Sequence, residues 1–309
     1  MAQSVFIDGA AGTTGLEIVD RLTGRGEFDI LVLDDTERKN VERRRQALND
    51  ADFAILCLPD DAAKQAVELV DPNGATRIID ASSAHRVADG WTYGFPELTG
   101  REAIAEARRV SNPGCYPTGF LALIAPLVRA ELLPCDWPYS VNAVSGYSGG
   151  GKALIERFES DAAIAFRTYG LALGHKHLPE MQYYAGLTNA PIFAPSVIPA
   201  FRGMIVEVPL SLQAMAASSA TPKALMECLG TTYADSKIVA ISDKTADELL
   251  VRTDAEPWDG MALHVFSSPD EKAVRLAARL DNLGKGASGA AIQNLNLMAG
   301  LEETTGLQL

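Results

Sequence analysis

The chain has no apolar run of the length that crosses a membrane, and its first residues lack the basic start and apolar core of a secretory signal. Its four cysteines are scattered, and no two of them have the C-x-x-C spacing that is typical of zinc sites. A disulfide framework is not indicated either, since disulfide-rich domains carry cysteine at a much higher density. We therefore expect a soluble protein of the reducing cytoplasm, with no membrane partner and no bound metal.

Basic residues are also scarce. The chain has 27 Lys and Arg against 40 Asp and Glu, which gives a formal net charge of −13. Sequence-independent nucleic-acid binding requires a basic surface, so this class of function is excluded. The expected partner is a small molecule, and an anionic substrate would need local basic residues to offset the field of the chain.

No internal repeat or long linker divides the 309 residues, of which 47% are hydrophobic, and the length indicates two domains. Strands and helices alternate in the first part, with elements predicted over 29–33, 53–58, 61–70 and 77–80. This alternation indicates an α/β class with a Rossmann-like, doubly wound parallel sheet. From residue 140 onward strands predominate, and we predict an α+β catalytic and dimerisation domain with a mixed or antiparallel sheet. Its predicted strands are 140–144, 192–199, 204–209, 237–241, 263–266 and 273–280.

The predicted dinucleotide-binding domain comprises residues 1–114 and is completed by a C-terminal helix, 285–309. The catalytic and oligomerisation domain comprises residues 115–284. Within it, the strands on either side of Arg202-Gly203 are expected to be antiparallel neighbours, and so are the strands around 268–270, because short connections with glycine or proline favour hairpins.

A glycine-rich turn follows the first predicted strand, 5–8, and leads into a helix. Its glycines have the spacing G-x-x-G-x-x-G, a variant of the more common G-x-G-x-x-G. Glycines in this place let the backbone approach a pyrophosphate, which rests on the helix N-terminus. The candidate cofactor ligands of the turn are Gly9, Gly12, Thr13, Thr14 and Gly15.

The choice between the two nicotinamide dinucleotides depends on the end of the second strand, about twenty residues after the turn. Asp34 and Asp35 there favour the ribose hydroxyls of NAD, whereas Arg38 and Lys39 favour the extra phosphate of NADP. We predict NADP as cofactor, with Arg38 and Lys39 as its phosphate ligands. The run Arg43–Arg45 is interpreted as the solvated face of a surface helix.

One cysteine, Cys115, lies where a helix is expected to begin. Pro113 and Gly114 end the preceding element, and Pro117 suits a first helical turn. Unpaired N–H groups and the helix dipole would stabilise a thiolate and lower the pKa of the thiol from roughly 8.5, which predicts a nucleophile. The alternative, a small buried residue at a turn, remains open for Cys115 and is the interpretation favoured for Cys57.

Two further segments carry groups that suit a reaction at this thiol. His175 and His177 lie two residues apart, and either could exchange a proton with a thiol or a developing alkoxide. Such a pair is also common on ordinary surface loops. Ser82, Ser83 and Arg86 follow the strand 77–80, where they could bind phosphate or carboxylate, or simply form a turn with a capping serine.

Seven segments occur in an order that carries a family resemblance. They are 9–15, SSAHR (82–86), YGFPE (93–97), SNPGCYPTG (111–119), SGYSGGGK (145–152), GHKHLPE (174–180) and LDNLGKGASGAAIQN (280–294). The chain resembles the N-acetyl-γ-glutamyl-phosphate reductases of arginine biosynthesis, and more closely their shorter type, over nearly its whole length. The glycine turn and the GKGA segment are shared with aspartate-semialdehyde dehydrogenase.

The resemblance implies a reaction in which the Cys115 thiolate attacks N-acetyl-glutamyl 5-phosphate, expels phosphate and leaves a thioester. NADPH then reduces the thioester to N-acetyl-glutamate 5-semialdehyde. His177 is the expected proton carrier, with His175 as the second candidate. The resemblance further assigns Ser82, Ser83, Arg86 and Lys152 to the anionic groups of the substrate, Asn112 to the orientation of the thiol, and Asn294 to the nicotinamide end of the cofactor. It also implies a homodimer or homotetramer.

Two alternatives remain at this point. The first is the reduction of another acyl phosphate, such as aspartyl phosphate or a carrier-bound aminoadipyl phosphate. The second is a redox sensor that binds a dinucleotide and uses Cys115 as a reporting thiol without turnover. A sensor needs neither a histidine pair nor an anion site, so the sequence disfavours it.

Overall fold

The computed structural model describes residues 2–215, 220–242 and 247–309, and these form two compact units. The first unit runs to Pro113 and includes Ala287–Leu307. The second comprises Gly114–Gly286 with the terminal Gln308–Leu309.

The first unit contains a six-stranded sheet in which all paired strands are parallel. Its strands are β1 (Gln3–Asp8), β2 (Phe28–Leu31), β3 (Phe53–Leu56), β4 (Arg77–Asp80), β5 (Thr92–Tyr93) and β6 (Arg109–Ser111), in the order β2-β1-β3-β4-β6-β5. The helices between them are α1 (Thr13–Leu22), α2 (Val41–Asp50), α3 (Asp60–Leu69), α4 (Pro96–Thr99) and α5 (Arg101–Glu106). The predicted doubly wound parallel sheet is confirmed.

The strand order of this sheet reverses between β1 and β3. All four residues of β3 are buried, as expected for a parallel strand covered on both faces. In sheets of this kind a ligand binds beyond the carboxyl ends of the strands at the point of reversal. The turn that follows β1 therefore lies where a dinucleotide is expected.

The second unit contains a seven-stranded mixed sheet, also as predicted. Its strands are β7 (Ser140–Gly146), β8 (Arg167–Thr168), β9 (Ile192–Ile198), β10 (Met204–Ser211), β11 (Val239–Ile241), β12 (Met261–Ser267) and β13 (Ala273–Leu280), in the order β11-β12-β13-β10-β7-β9-β8. The pairs β7–β9 and β11–β12 are parallel, and the other pairs are antiparallel. The expected hairpin around 268–270 is confirmed as β12–β13.

The prediction that the strands flanking Arg202-Gly203 are neighbours is wrong. β7 lies between β9 and β10 and pairs with both. The connection from β9 to β10 does not close a hairpin. The carbonyls of Ala200, Phe201 and Gly203 instead accept hydrogen bonds from the backbone N–H groups of residues 146–148, at the end of β7 and directly after it.

The α-helices that the structure describes in the second unit are α6 (Cys115–Arg129), α7 (Lys152–Ser160), α8 (Leu178–Ala185) and α9 (Pro222–Thr232). Every residue of α6 from Tyr116 to Leu127 is buried, which suits its apolar sequence on all sides. No helix in the described ranges combines the length and the apolar character that a membrane span requires.

The last helix, α10 (Gly289–Met298), returns to the first unit and follows a π-helical turn, Gly284–Ser288. Its Ile292 and Leu295 pack in one hydrophobic cluster with Val5 and Ile7 of β1. The helix is shorter than the predicted 285–309, because the Asn296 amide donates to the carbonyls of residues 303 and 305 and so holds the following segment in a turn.

Candidate active site

The glycine turn of the first unit has the form of a phosphate cradle. Gly9 has a φ of +89°, and a Cβ at this position would lie 2.3 Å from the carbonyl oxygen of Cys57. Gly12 precedes α1, and no side chain caps this end of the helix. The hydroxyl of Thr13 at the first helical position is buried and has no protein partner among the described residues. A phosphate would supply the missing partner, so the residues present fit a dinucleotide.

A cleft of about 640 Å³ adjoins this turn within the first unit. Besides Gly9, its lining includes Asp34, Asp35, Arg38 and Lys39. Asp34 Oδ1 accepts hydrogen bonds from the hydroxyl of residue 36 and from the backbone N–H groups of residues 36 and 37. The hydrogen bond from that hydroxyl is the largest cause of the lowered pKa of Asp34. Asp34 therefore stabilises its own turn.

Asp35, Arg38 and Lys39, which line the same cleft, differ from Asp34 in their surroundings. Asp35 forms an ion pair with Arg38, with 2.8 Å between Oδ1 and Nε. The side chain of Arg38 is 47% exposed, so its remaining donors can reach a ligand in the cleft. Lys39 is exposed and lines the same cleft. The two acids are thus bound to neighbouring protein groups, and Arg38 and Lys39 line the cleft beside them.

Arg44 is a residue of the cleft that the sequence interpretation missed. Arg43 and Arg45 lie on the surface as expected, each with a side chain about half exposed. The interpretation is wrong for Arg44, which lines the cleft and pairs with the buried Asp8 at 2.6 Å between Nη2 and Oδ2. Helical periodicity could have indicated it, because position 44 shares a face with the buried Ala47 and Leu48.

The segment after β4 forms a hydrogen-bonded turn. Ser82 donates its hydroxyl to Asp80 Oδ2 at 2.7 Å, and Ser83 donates its own to Asp60 Oδ2 at 2.6 Å. Arg86 is buried, and its Nε donates to the carbonyl of Asn112 at 3.0 Å. In this structure the three side chains bind protein groups, so their assignment to the substrate stays a prediction.

Asn112 is held from several sides within the first unit. Its N–H donates to the carbonyl of Asp80 at 2.7 Å, and its Nδ2 donates to the carbonyl of Ala287 at 2.9 Å. Its Oδ1 accepts from Asn294 Nδ2 at 3.1 Å, and the same Nδ2 donates to the carbonyl of Gly94. The other amide atom of Asn294, Oδ1, is buried without a protein partner among the described residues. It is an acceptor that an amide group of a ligand could use.

In the second unit, Cys115 is the first residue of α6, as predicted. Gly114 precedes it in an extended conformation and has no side chain to cap the helix. The N–H of Gly114 donates to Glu180 Oε2 at 3.2 Å, and Glu180 is 1% exposed. A buried carboxylate on α8 is thereby joined to the start of the helix that carries the cysteine. The sequence interpretation assigned no role to Glu180, although it lies in the histidine segment.

The two histidines lie beside Tyr116, the neighbour of Cys115 in the chain. The ring of Tyr116 is 6.2 Å from that of His175 and 5.9 Å from that of His177, measured between centroids. His177 is buried and directly precedes α8. Its backbone N–H donates to His175 Nδ1 at 3.1 Å, so Nδ1 of His175 is an acceptor and its Nε2 carries the proton when the ring is neutral. The cysteine helix and the histidine segment thus meet at Tyr116.

The sequence also singled out Lys152 and Cys57. Lys152 is the first residue of α7, and its side chain is exposed.

The pKa of the Cys57 thiol is raised to about 12. The largest cause is burial of the sulfur, and the negative charges of Asp80 and Asp8 add to it. Within the described part of the chain, no cluster of three or more His, Cys, Asp or Glu side chains could hold a metal ion.

Comparisons with known proteins identify the family. Residues 4–107 match the semialdehyde dehydrogenase NAD binding domain, and residues 115–282 match the semialdehyde dehydrogenase dimerisation domain. The chain is 50% identical over 305 residues to an N-acetyl-gamma-glutamyl-phosphate reductase of Burkholderia lata, with 96% of each chain covered. It is 51% identical over 311 residues to the reductase of Brucella suis, which covers 97% of this chain and 100% of the relative. The chain belongs to the N-acetyl-gamma-glutamyl-phosphate reductase family.

The resemblance inferred from the motifs is confirmed by this membership. Among solved structures, aspartate semialdehyde dehydrogenase II from Vibrio cholerae matches with a TM-score of 0.71 at 20% identity, over 97% of this chain and 99% of that one. The enzyme from Francisella tularensis matches with a TM-score of 0.69 at 13% identity, over 96% and 100%. At these identities the likeness shows the shared fold.

We predict that iodoacetamide modifies Cys115 and the exposed Cys135 in the folded protein at pH 8 and leaves Cys57 unmodified. A thiol with a pKa of about 12 is ionised to roughly one part in 10⁴ at that pH, and only the thiolate reacts. Peptide mass spectrometry after a timed reaction measures the three sites separately. Modification of Cys57 as fast as that of Cys135 would contradict the assignment of Cys57 as an unreactive thiol.

Proposed function

We propose that the protein reduces N-acetyl-glutamyl 5-phosphate to N-acetyl-glutamate 5-semialdehyde with release of phosphate, as a step of arginine biosynthesis. Family membership supports this activity. The observation that carries it is the position of Cys115 at the start of α6, with His175 and His177 packed around the adjacent Tyr116.

The first step is acyl transfer to Cys115. The N-terminus of α6 stabilises the thiolate, which attacks the acyl carbon of the substrate. The bond between that carbon and the phosphate oxygen breaks, phosphate leaves, and a thioester on Cys115 remains. When bound, NADPH supplies the hydride that reduces this thioester. The resulting thiohemiacetal collapses to the aldehyde as its C–S bond breaks, which regenerates the thiolate of Cys115.

The two histidines provide for proton transfer in the reaction. His177 protonates the thiohemiacetal oxygen as it forms and removes this proton as the aldehyde leaves. The hydrogen bond from the N–H of His177 fixes the tautomer of His175, which leaves Nε2 of His175 as a donor toward a substrate group. Glu180 keeps the first turn of α8 in register with the start of α6 through its hydrogen bond to Gly114.

The cofactor assignment follows from the cleft of the first unit. The turn Gly9–Gly15, with the hydroxyl of Thr13, would hold the pyrophosphate, and Asn294 would bind the carboxamide of the nicotinamide. Arg38 and Lys39 would bind the 2′-phosphate of NADP. In support, both cations line the cleft, and Asp34 is engaged in its own turn.

For the substrate, Arg86 and Lys152 remain our candidates for binding its anionic groups, with Ser82 and Ser83 in the turn beside Arg86. An activity assay distinguishes this substrate from the alternatives, aspartyl phosphate and carrier-bound aminoadipyl phosphate. Phosphate-dependent reduction of NADP with N-acetyl-glutamate semialdehyde supports the proposed activity. No signal with this aldehyde, but a signal with aspartate semialdehyde, would assign the protein to the related reaction.

Homo-oligomerisation, as a dimer or tetramer, is also part of the proposal. The match of residues 115–282 to a dimerisation domain supports it. The face of the second sheet opposite α6 carries the exposed residues Asn142, Ile192, Arg275 and Arg279, and a second copy of the chain would cover it. We place the enzyme in the cytoplasm, where its free cysteines stay reduced.

The domain division that we propose is 1–114 with 285–309, and 115–284. The compact units support it at the two main boundaries, where the chain passes between them at Pro113–Gly114 and at Gly286–Ala287. They differ from it at Gln308–Leu309, which belong to the second unit. The family matches, 4–107 and 115–282, also agree with it.

Cys115→Ser is expected to abolish nearly all turnover while the fold and cofactor affinity persist, because a serine hydroxyl at a helix start is far less ionised than a thiol. Steady-state rates of the purified variant measure the effect. Cys57→Ser is the matched control and should retain the rate of the parent. A Cys115→Ser rate within about tenfold of the parent would defeat the covalent mechanism.

His177→Asn is expected to lower kcat by roughly 10²–10⁴-fold, the range typical of lost proton transfer, and to flatten the pH profile near neutrality. His175→Asn is the paired variant and should act mainly on KM. If the two variants exchange these effects, His175 carries the proton and His177 orients the substrate.

The double variant Arg38→Ala/Lys39→Ala is expected to raise the KM for NADP at least about tenfold and to change that for NAD little. Charge-assisted hydrogen bonds to a phosphate are worth roughly 1.5–3 kcal/mol each, and about 1.4 kcal/mol corresponds to tenfold. The smaller expected factor allows for screening at an exposed site. Equal losses for both cofactors, or a parent that prefers NAD, would show that an acidic residue selects the ribose.

A further inference from the structure

A glycine of the π-helical turn lies against the proposed nucleophile. A Cβ built on Gly286 would be 2.8 Å from the Cβ of Cys115 and 3.3 Å from its Cα. Carbon atoms that are not bonded attract best at roughly 3.5–4.0 Å, so a side chain at this position would overlap with Cys115. The nucleophile therefore occupies the space that any other residue at 286 would need.

The turn that carries Gly286 is anchored by a buried acidic residue. The N–H of Gly286 donates to the carbonyl of Asp281 at 3.0 Å, and the Asp281 carboxylate accepts from the N–H of Leu283 at 2.9 Å. Asp281 Oδ2 also accepts from Arg202 Nη1 at 2.9 Å and from the N–H of Trp258 at 3.4 Å. Asp281 is 3% exposed, so its charge is held by this set of donors.

These contacts leave the turn little freedom to yield. The same Cβ at position 286 would lie 3.0 Å from the carbonyl oxygen of Asp281, which is backbone and cannot rotate away. On the other side it meets the backbone and Cβ of Cys115. Relief of the overlap would therefore move Cys115, and the Cβ that moves is the atom to which Sγ is bonded.

We propose that Gly286 and the Arg202–Asp281 ion pair form a positioning device for the Cys115 thiol, an inference that rests on the proposed function for its catalytic consequence. Gly286 leaves room for the cysteine at the start of α6, and Asp281 fixes the turn at this contact distance. Gly286, Asp281 and Arg202 are positioning residues, since they act on the reaction through Cys115. A misplacement of about 1 Å at a reacting group can cost roughly 10²-fold in rate.

The test measures the thiol itself. The rate of Cys115 alkylation by iodoacetamide is followed over a pH series in Gly286→Ala and in the parent, by peptide mass spectrometry. We expect Gly286→Ala to lower the rate at least about tenfold near neutral pH and to raise the apparent pKa of Cys115, because the thiol leaves its place at the helix N-terminus. The value of kcat should fall in parallel, while NADPH binding, measured by fluorescence titration, stays that of the parent.

The matched control is Gly230→Ala in α9, where a Cβ would meet nothing within 4 Å. This variant should keep the alkylation profile and kcat of the parent. Should Gly286→Ala fail to fold, Asp281→Asn decides, since it preserves the shape of the anchor and removes its charge. It is expected to slow alkylation of Cys115 to a lesser degree.

Alkylation of Cys115 at the parent rate, with an unchanged pH profile, in folded Gly286→Ala or in Asp281→Asn would overturn the inference. The proposed function fails separately, in a parent protein that does not turn over N-acetyl-glutamyl phosphate. Alkylation requires no substrate, so the two results are read independently.

Discussion

The proposed chemistry depends on one constraint, which is that the N-cap residue of α6 is a glycine without a capping side chain of its own while the helix itself is buried. Burial from Tyr116 to Leu127 fixes the helix against its sheet. Gly114 leaves the first N–H groups to be satisfied from outside, and Glu180 accepts one of them. The proposed reactivity of Cys115 rests on this arrangement, because a helix N-terminus favours negative charge on the first residue.

We propose that the same physical feature binds the cofactor in the first unit. The N-terminus of α1 follows Gly12, also without a side-chain cap, and the buried hydroxyl of Thr13 lies at its first position. A chain with a net charge of −13 must bind anionic ligands by local means. In our proposal, backbone N–H groups at helix starts and a few cations, such as Arg38 and Lys39, bind these ligands without changing the overall field.

Local patterns predicted much of this arrangement. Two turns are determined by residues that are adjacent in the chain, so they can be recognised in the sequence. They are the turn with Gly9, Gly12 and Gly15 and the turn with Pro113-Gly114-Cys115. Contacts between distant segments cannot be recognised in this way. Three features depend on how remote segments of the chain pack. They are the insertion of β7 between β9 and β10, the ion pair of Arg44 with Asp8, and the hydrogen bond from Gly114 to Glu180. The serine hydroxyls at 82 and 83 were assigned to substrate, and only the packed turn showed their bonds to carboxylates.

The central claim is that Cys115 carries the acyl group, and trapping that intermediate tests it most directly. The purified protein is mixed with N-acetyl-glutamyl phosphate without NADPH, quenched in acid and digested. Mass spectrometry should find one N-acetyl-glutamyl group on the peptide that contains Cys115, removable by hydroxylamine as expected for a thioester. It should find none on the peptides of Cys57 or Cys135. Full turnover on adding NADPH, with no acyl group on Cys115 in its absence, would contradict the account.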